Sequence, residues 1–297
     1  MEMFVIAALF GILVGVLSGL LGIGGGVVMV PLFRLVFGLE PIVATATSLF
    51  TIIPTSLSGM AKHVRNKTCV ARVGIVCGVA GACLSPVGVI AAAASPSWAV
   101  MGAAALIIAY SAFTMFKKAL AAPKAAAVPA EKGREERACS ASQASRAAAS
   151  EKPAETSTSD DGLSADSADF AFTPLFVAKI VAIGVLAGFM SGYVGVGGGF
   201  IMVPLFMALL SVPMRLASGT SLLAVCILAV PGAIEQGLLG NIDFLVGIAT
   251  AAGSIPGAFL GAGLVKRVPE RMLRLAFAVF LLVVAVILTV NELGFIG

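Results

Sequence analysis

Gly22-Ile23-Gly24-Gly25-Gly26-Val27-Val28-Met29-Val30-Pro31-Leu32-Phe33 returns 173 residues later as Gly195-Val196-Gly197-Gly198-Gly199-Phe200-Ile201-Met202-Val203-Pro204-Leu205-Phe206, with nine of twelve positions identical. The match continues without a gap on both sides. Upstream, Gly11, Gly15 and Gly19 answer to Gly184, Gly188 and Gly192; downstream, Thr47-Ser48-Leu49 answers to Thr220-Ser221-Leu222. A duplication of this size inside apolar sequence is a hallmark of secondary transporters.

Composition fixes the solvent. Of the 297 residues, 59% are hydrophobic and 11% are charged, and the mean hydropathy is +1.08. Soluble domains carry about 25% charged residues, so this chain cannot cover itself with polar surface. An ordinary soluble enzyme and a disordered protein are excluded, and a polytopic, all-α transmembrane bundle is expected. The net charge of +4 serves membrane orientation and calls for no nucleic acid.

Apolar segments run over 3–21, 26–38, 42–60, 73–94 and 97–116, and again over 174–194, 199–212, 216–234, 244–265 and 272–290. The first reads as a retained helix, because no basic residue precedes it and no A-x-A-like site ends it. Between the sets, residues 117–172 are rich in Ala, Ser, Lys, Glu and Asp; such a stretch buries no core and reads as a disordered cytoplasmic linker. The expected organisation is a first transmembrane repeat over 1–116, this linker, and a second repeat over 173–297. With five passes per half and the N-terminus outside, twelve basic residues fall on the cytoplasmic side and only Arg34 outside. Four passes per half spread them almost evenly. The positive-inside rule therefore favours inverted halves. The short segments after the triple glycines are expected as broken helices, either tilted spans or re-entrant hairpins.

Three adjacent glycines at membrane depth break a helix and free its N–H groups. Non-helical backbone survives there only against protein or a water-filled path, and a helix restarting beyond it offers a positive dipole end. Gly24, Gly25 and Gly26 with Gly197, Gly198 and Gly199 are thus the candidate site for a small anionic solute, with Thr47, Ser48, Thr220 and Ser221 as hydroxyl donors. Helix capping is the competing role for those hydroxyls. Gly11, Gly15 and Gly19 form a small-xxx-small packing stripe, and Pro54, Pro231 and Pro256 mark kinks. His63, the only histidine, reads as an interfacial loop residue in a basic run; Glu235 and Asp243 bracket a loop, with Glu235 also placed to take a proton. The five cysteines match no metal or C-x-x-C pattern. No catalytic triad, metal cluster, carboxylate pair or cofactor motif stands out, so neither an enzyme nor a cofactor is expected.

With both repeats in view, the chain resembles the TauE/SafE family of sulfite-exporter-like membrane permeases. The likeness rests on Gly22–Phe33, Ala46-Thr47-Ser48, Gly195–Phe206, Gly219-Thr220-Ser221, Pro231-Gly232 and Gly257-Ala258-Phe259-Leu260-Gly261. The resemblance implies about eight spans in an inner membrane and transport, generally export, of sulfite, sulfoacetate, other sulfonates or other small organic anions. A passive anion channel, a membrane-embedded sulfur-handling protein using Cys77, Cys83 or Cys226, and a non-transporting scaffold are the competing readings. Coupling to protons and assembly as a homo-oligomer stay open. Tags inserted near residue 65 and near residue 270 are expected on the same face of the membrane. Labelling from opposite faces would overturn the inverted arrangement.

Overall fold

The computed structural model describes residues 2–96, 100, 102, 106, 108–114, 116 and 174–292. The linker expected at 117–172 and most of the 97–116 segment lie outside the described residues. Nine helices have defined bounds among the described residues. In the first half they are α1 (Glu2–Leu21), α2 (Gly26–Phe37), α3 (Pro41–Arg65) and α4 (Ala71–Ala93). In the second they are α5 (Pro174–Val194), α6 (Gly199–Leu209), α7 (Met214–Leu238), α8 (Phe244–Leu264) and α9 (Glu270–Glu292). Residues 108–114 are also helical. The described residues contain no strand.

Polarity is arranged inside out. Leu9 is 61% exposed, Ile90 63% and Leu260 59%, whereas Thr47, Ser48, Thr51, Thr55, Ser221 and Thr250 are fully buried. Only an apolar solvent rewards that distribution. Five helices (α3, α4, α5, α7 and α8) are long and apolar enough to cross a membrane. At 12 and 11 residues, α2 and α6 rise about 18 Å and 17 Å, well short of a hydrocarbon core of about 30 Å.

The halves are knitted together by exchange. α1 packs on α8 and α4 on α5; α3 meets α7 across the middle, while α4 also packs on α7 and α8 on α3. Small residues set these distances. Gly11, Gly15 and Gly19 lie against the α8 backbone at Thr250, Ser254 and Ala258; Gly184, Gly188 and Gly192 lie against the α4 backbone at Cys77, Gly81 and Ser85. Each contact of the second group repeats one of the first, with the glycine advanced by 173 and its partner set back by 173. The order of contacts gives direction: α1 runs parallel to α8, and α4 parallel to α5. In the centre Gly59 meets Leu222 and Gly232 meets Leu49, so α3 and its repeat counterpart α7 run antiparallel.

Several local expectations change. α3 continues through Pro54 to Arg65, so His63 is helical and buried instead of lying in an interfacial loop. α7 continues through Pro231 to Leu238 and carries Glu235 on its last turns; Asp243 is the N-cap of α8, its Oδ1 accepting from the Val246 N–H at 3.1 Å. Hydropathy ended both helices early because their last turns are polar, yet each turn buries one polar side chain, His63 and Gln236.

A Cβ on Gly188 would overlap the Gly81 carbonyl oxygen. Overpacking against rigid backbone costs about 1–3 kcal/mol or more, so Gly188→Val is expected to lower the melting temperature of the purified protein by many degrees. The same change at Gly102, where a Cβ meets nothing within 4 Å, is expected to leave it unmoved.

Candidate functional site

The glycine breaks follow from backbone geometry. α1 stops at Leu21, and α2 restarts after Gly25, which caps it at φ 88°; α6 restarts after Gly198 at φ 66°. Residues with a Cβ rarely adopt this left-handed conformation. Neither cap has a side chain to accept from the first N–H groups. The N–H groups of Gly24, Gly25, Gly26 and Val27, and of Gly197, Gly198, Gly199 and Phe200, have no acceptor among the described residues.

The two breaks meet. A Cβ on Gly26 would stand 2.5 Å from the Val196 carbonyl oxygen, and one on Gly199 would stand 2.6 Å from that of Ile23. Gly24 and Gly197 both face Ile52 and Val225, which are themselves repeat counterparts. Two uncapped helix N-termini, each with a positive dipole end, are therefore held against each other's turns in the buried centre. The six glycines expected to form one site are brought together.

The four hydroxyls are in the same region but are already engaged. Ser48 donates to the Gly195 carbonyl oxygen at 2.7 Å, and Ser221 donates to that of Gly22 at 2.7 Å. Thr47 Oγ1 accepts from the Asp243 N–H at 3.0 Å, and Thr220 Oγ1 accepts from the Val70 N–H at 2.9 Å. Each pair is the repeat image of the other. Thr220 also donates to the Leu216 carbonyl at 2.7 Å. These side chains do cap, but across the halves: Thr47 serves the start of α8 and Thr220 the start of α4.

The ends of the bundle differ. At one end a cleft of about 60 Å³ is lined by Thr45, Ser95, Gly192, Gln236 and Asn241. At the other end the positions corresponding to Gly192, Gln236 and Asn241 hold Gly19, His63 and Thr68. There His63 Nε2 donates to the Gly19 carbonyl oxygen at 2.9 Å, and Nδ1 lies 2.8 Å from Thr68 Oγ1. Further ties surround it. Asn66 donates to Ala262 O at 3.3 Å, Arg215 donates to Val268 O at 2.9 Å, and the Met214 N–H donates to Glu270, which also pairs with Arg274 at 2.7 Å. Both basic clusters, near 65 and near 270, therefore sit at this end. Sequence reading missed the role of His63 because its neighbours are cationic; the 173-residue register, which pairs it with Gln236, was the signal that could have found it.

Glu235 is half-buried at the Gln236 end, and its Oε2 has no hydrogen-bond partner among the described residues. Cys77 is buried, Cys226 half-buried and Cys83 exposed, all as free thiols. Burial pushes the Cys69 thiol up to about 11, with a hydrogen bond to Thr220 acting weakly the other way, so it offers no thiolate at neutral pH. No group of three or more His, Cys, Asp or Glu that could hold a metal occurs among the described residues.

A family model described as "Sulfite exporter TauE/SafE" matches residues 7–288. The chain is 25% identical over 289 residues to the "Probable membrane transporter protein YunE" of Bacillus subtilis (strain 168), covering 95% of both chains. It is 26% identical to the "Probable membrane transporter protein YdhB" of the same organism, covering 92% of this chain and 94% of that one. A match at 31% identity to the "Sulfite exporter TauE/SafE family protein 3" of Arabidopsis thaliana covers 43% of this chain and 27% of that protein. No solved structure matches the chain.

The crossed hydroxyls give a stability test. Ser48→Ala leaves the Gly195 carbonyl unsatisfied, and Ser221→Ala does the same to that of Gly22. Losing a buried partner costs about 1–3 kcal/mol. Each variant is expected to melt several degrees lower without any solute present, and by similar amounts. Unchanged melting of both would show that the hydroxyls carry no structural load.

Proposed function

The chain belongs to the sulfite exporter TauE/SafE family of multi-pass membrane transporters, and from that premise we propose that it moves small oxyanions such as sulfite, sulfoacetate or other sulfonates across a prokaryotic inner membrane, in the direction of export. The anion binds between the glycine breaks, on the N–H groups of Gly24–Gly26 and Gly197–Gly199. The observation that carries this reading is the meeting of two uncapped helix N-termini in the buried centre. Two like dipole ends repel, and an anion between them removes the repulsion while satisfying free N–H groups. Ser48 and Ser221 fix the breaks from the opposite half, and Thr47 and Thr220 hold the starts of α8 and α4 beside them, as their bonds to backbone favour.

Alternating access is the proposed mechanism. Antiparallel packing of α3 on α7 supports halves that lie inverted in the bilayer, with each break a short tilted span or re-entrant element. An open cleft at the Gln236 end and a tied His63 end support a gate at each face. Basic residues mark the tied end as cytoplasmic, so this conformation is read as outward-facing. Rocking one half against the other would exchange the two states. The closed end speaks against a passive channel.

The test is flux of radiolabelled sulfite and of a small sulfonate in proteoliposomes. Wild type is expected to show saturable flux without steady conductance. The Gly25→Val/Gly198→Val pair, reconstituted at equal level, is expected to lose flux more than about tenfold, because a β-branched residue rarely holds the left-handed cap that aims the N–H groups. Wild-type flux in the double variant would defeat the site, and unsaturable conductance would favour the channel.

A further inference from the structure

The mirrored register exposes two side chains that sequence reading passed over. Ser18 and Ser191 are repeat counterparts on the last turns of α1 and α5, immediately before the breaks; their carbonyl oxygens accept from the N–H groups of Gly22 and Gly195, each at 2.8 Å. Ser18 is 1% exposed and Ser191 is fully buried, yet neither hydroxyl has a hydrogen-bond partner among the described residues. A buried serine in a helix has an easy remedy, donation to the carbonyl four residues back. Thr51, Thr55, Ser56 and Thr250 all take it. Ser18 and Ser191 do not.

Their surroundings supply a reason. A Cβ on Gly25, the bare cap of α2, would stand 3.6 Å from the Ser18 Cβ, beside the Val14 side chain; one on Gly198 would stand 2.7 Å from the backbone oxygen of Ala187, the counterpart of Val14. Ser18 therefore sits next to a helix N-terminus whose first N–H groups are also unpaired, and Ser191 holds the corresponding position in the second half by the 173-residue register. The third unpartnered buried serine, Ser85, faces Gly232 and is replaced by Ala258 in the other half, so it lacks the pairing.

Resting on the anion site proposed above, we infer that Ser18 and Ser191 are its substrate-contacting hydroxyls, one from each half, and that the site selects an anion with several oxygen atoms on one centre over a monatomic anion. The hydroxyls of Ser48, Ser221 and Thr220 donate to backbone carbonyls, whereas those of Ser18 and Ser191 are free to donate. Donors spread over two breaks suit sulfite or a sulfonate, whose oxygens point in different directions; a halide is a single acceptor. An unpaired buried polar group normally destabilises its host, so keeping one in each half fits a partner that arrives with the solute.

The experiment uses the purified full-length chain, with calorimetric titration of sulfite, methanesulfonate and chloride and melting curves without anion. Wild type is expected to bind an oxyanion and not chloride. Ser18→Ala and Ser191→Ala should each weaken that binding about tenfold, the weight of a hydrogen bond to a charged group. Their anion-free melting temperatures should stay level or rise. Gly198→Val serves as the reference for the site itself. If it loses binding while both serine variants keep wild-type affinity, the serine assignment falls and the glycine site stands. If wild type binds no oxyanion, both fall. A lower anion-free melting temperature in both serine variants would identify the hydroxyls as structural and overturn the assignment.

Discussion

A crossed pair of hydrogen bonds holds the centre of this molecule. Ser48 closes on the carbonyl of Gly195, and Ser221 closes on that of Gly22. Breaking a helix at membrane depth leaves backbone groups without partners in a medium that supplies none. Each half contains such a break, and each obtains part of its satisfaction from the other half. Thr47 and Thr220 extend the exchange by capping the opposite half's fourth helix. Neither half keeps its own glycine turn satisfied alone, so the two fold as a pair, and the region where they meet is where the backbone is least satisfied.

The helices around that centre approach closely because little stands between them. In a bilayer, helix association gains little from burying apolar surface, which lipid already accepts; it comes from close packing and interhelical hydrogen bonds. The stripes Gly11–Gly15–Gly19 and Gly184–Gly188–Gly192 bring α1 onto α8 and α5 onto α4 at backbone contact. That close approach fixes the ends of α1 and α5, and hence the points where the breaks begin.

Much of this was legible in the sequence, for a physical reason. Triple glycine followed by a Pro-Leu-Phe segment has few uses inside apolar sequence, and its repetition announces two copies of one element. The helical segments, the break positions and the packing role of the stripe follow from local chemistry. What a single copy hides is the partner across the fold. Ser48 and Ser221 read as free donors because their acceptors lie 147 and 199 residues away. His63 read as solvated because Lys62, Arg65 and Lys67 flank it, whereas its helical face turns inward to Gly19. Ser18 and Ser191 drew no notice because an isolated serine in an apolar helix is common; only the absence of a bond in the folded chain distinguishes them.

The copies have also drifted apart where it matters for motion. Met214 offers a backbone N–H to Glu270, while the corresponding residue of the first half is Pro41, which has no N–H to give. A latch of that kind cannot be copied at the other face by any acid placed opposite. Under the alternating access proposed above, identical halves would give two conformations of equal energy; this imino acid is one of the differences that make them unequal. On that proposal, solute works against a molecule that prefers one resting state, and the size of that preference sets how much differential affinity is needed to turn it over.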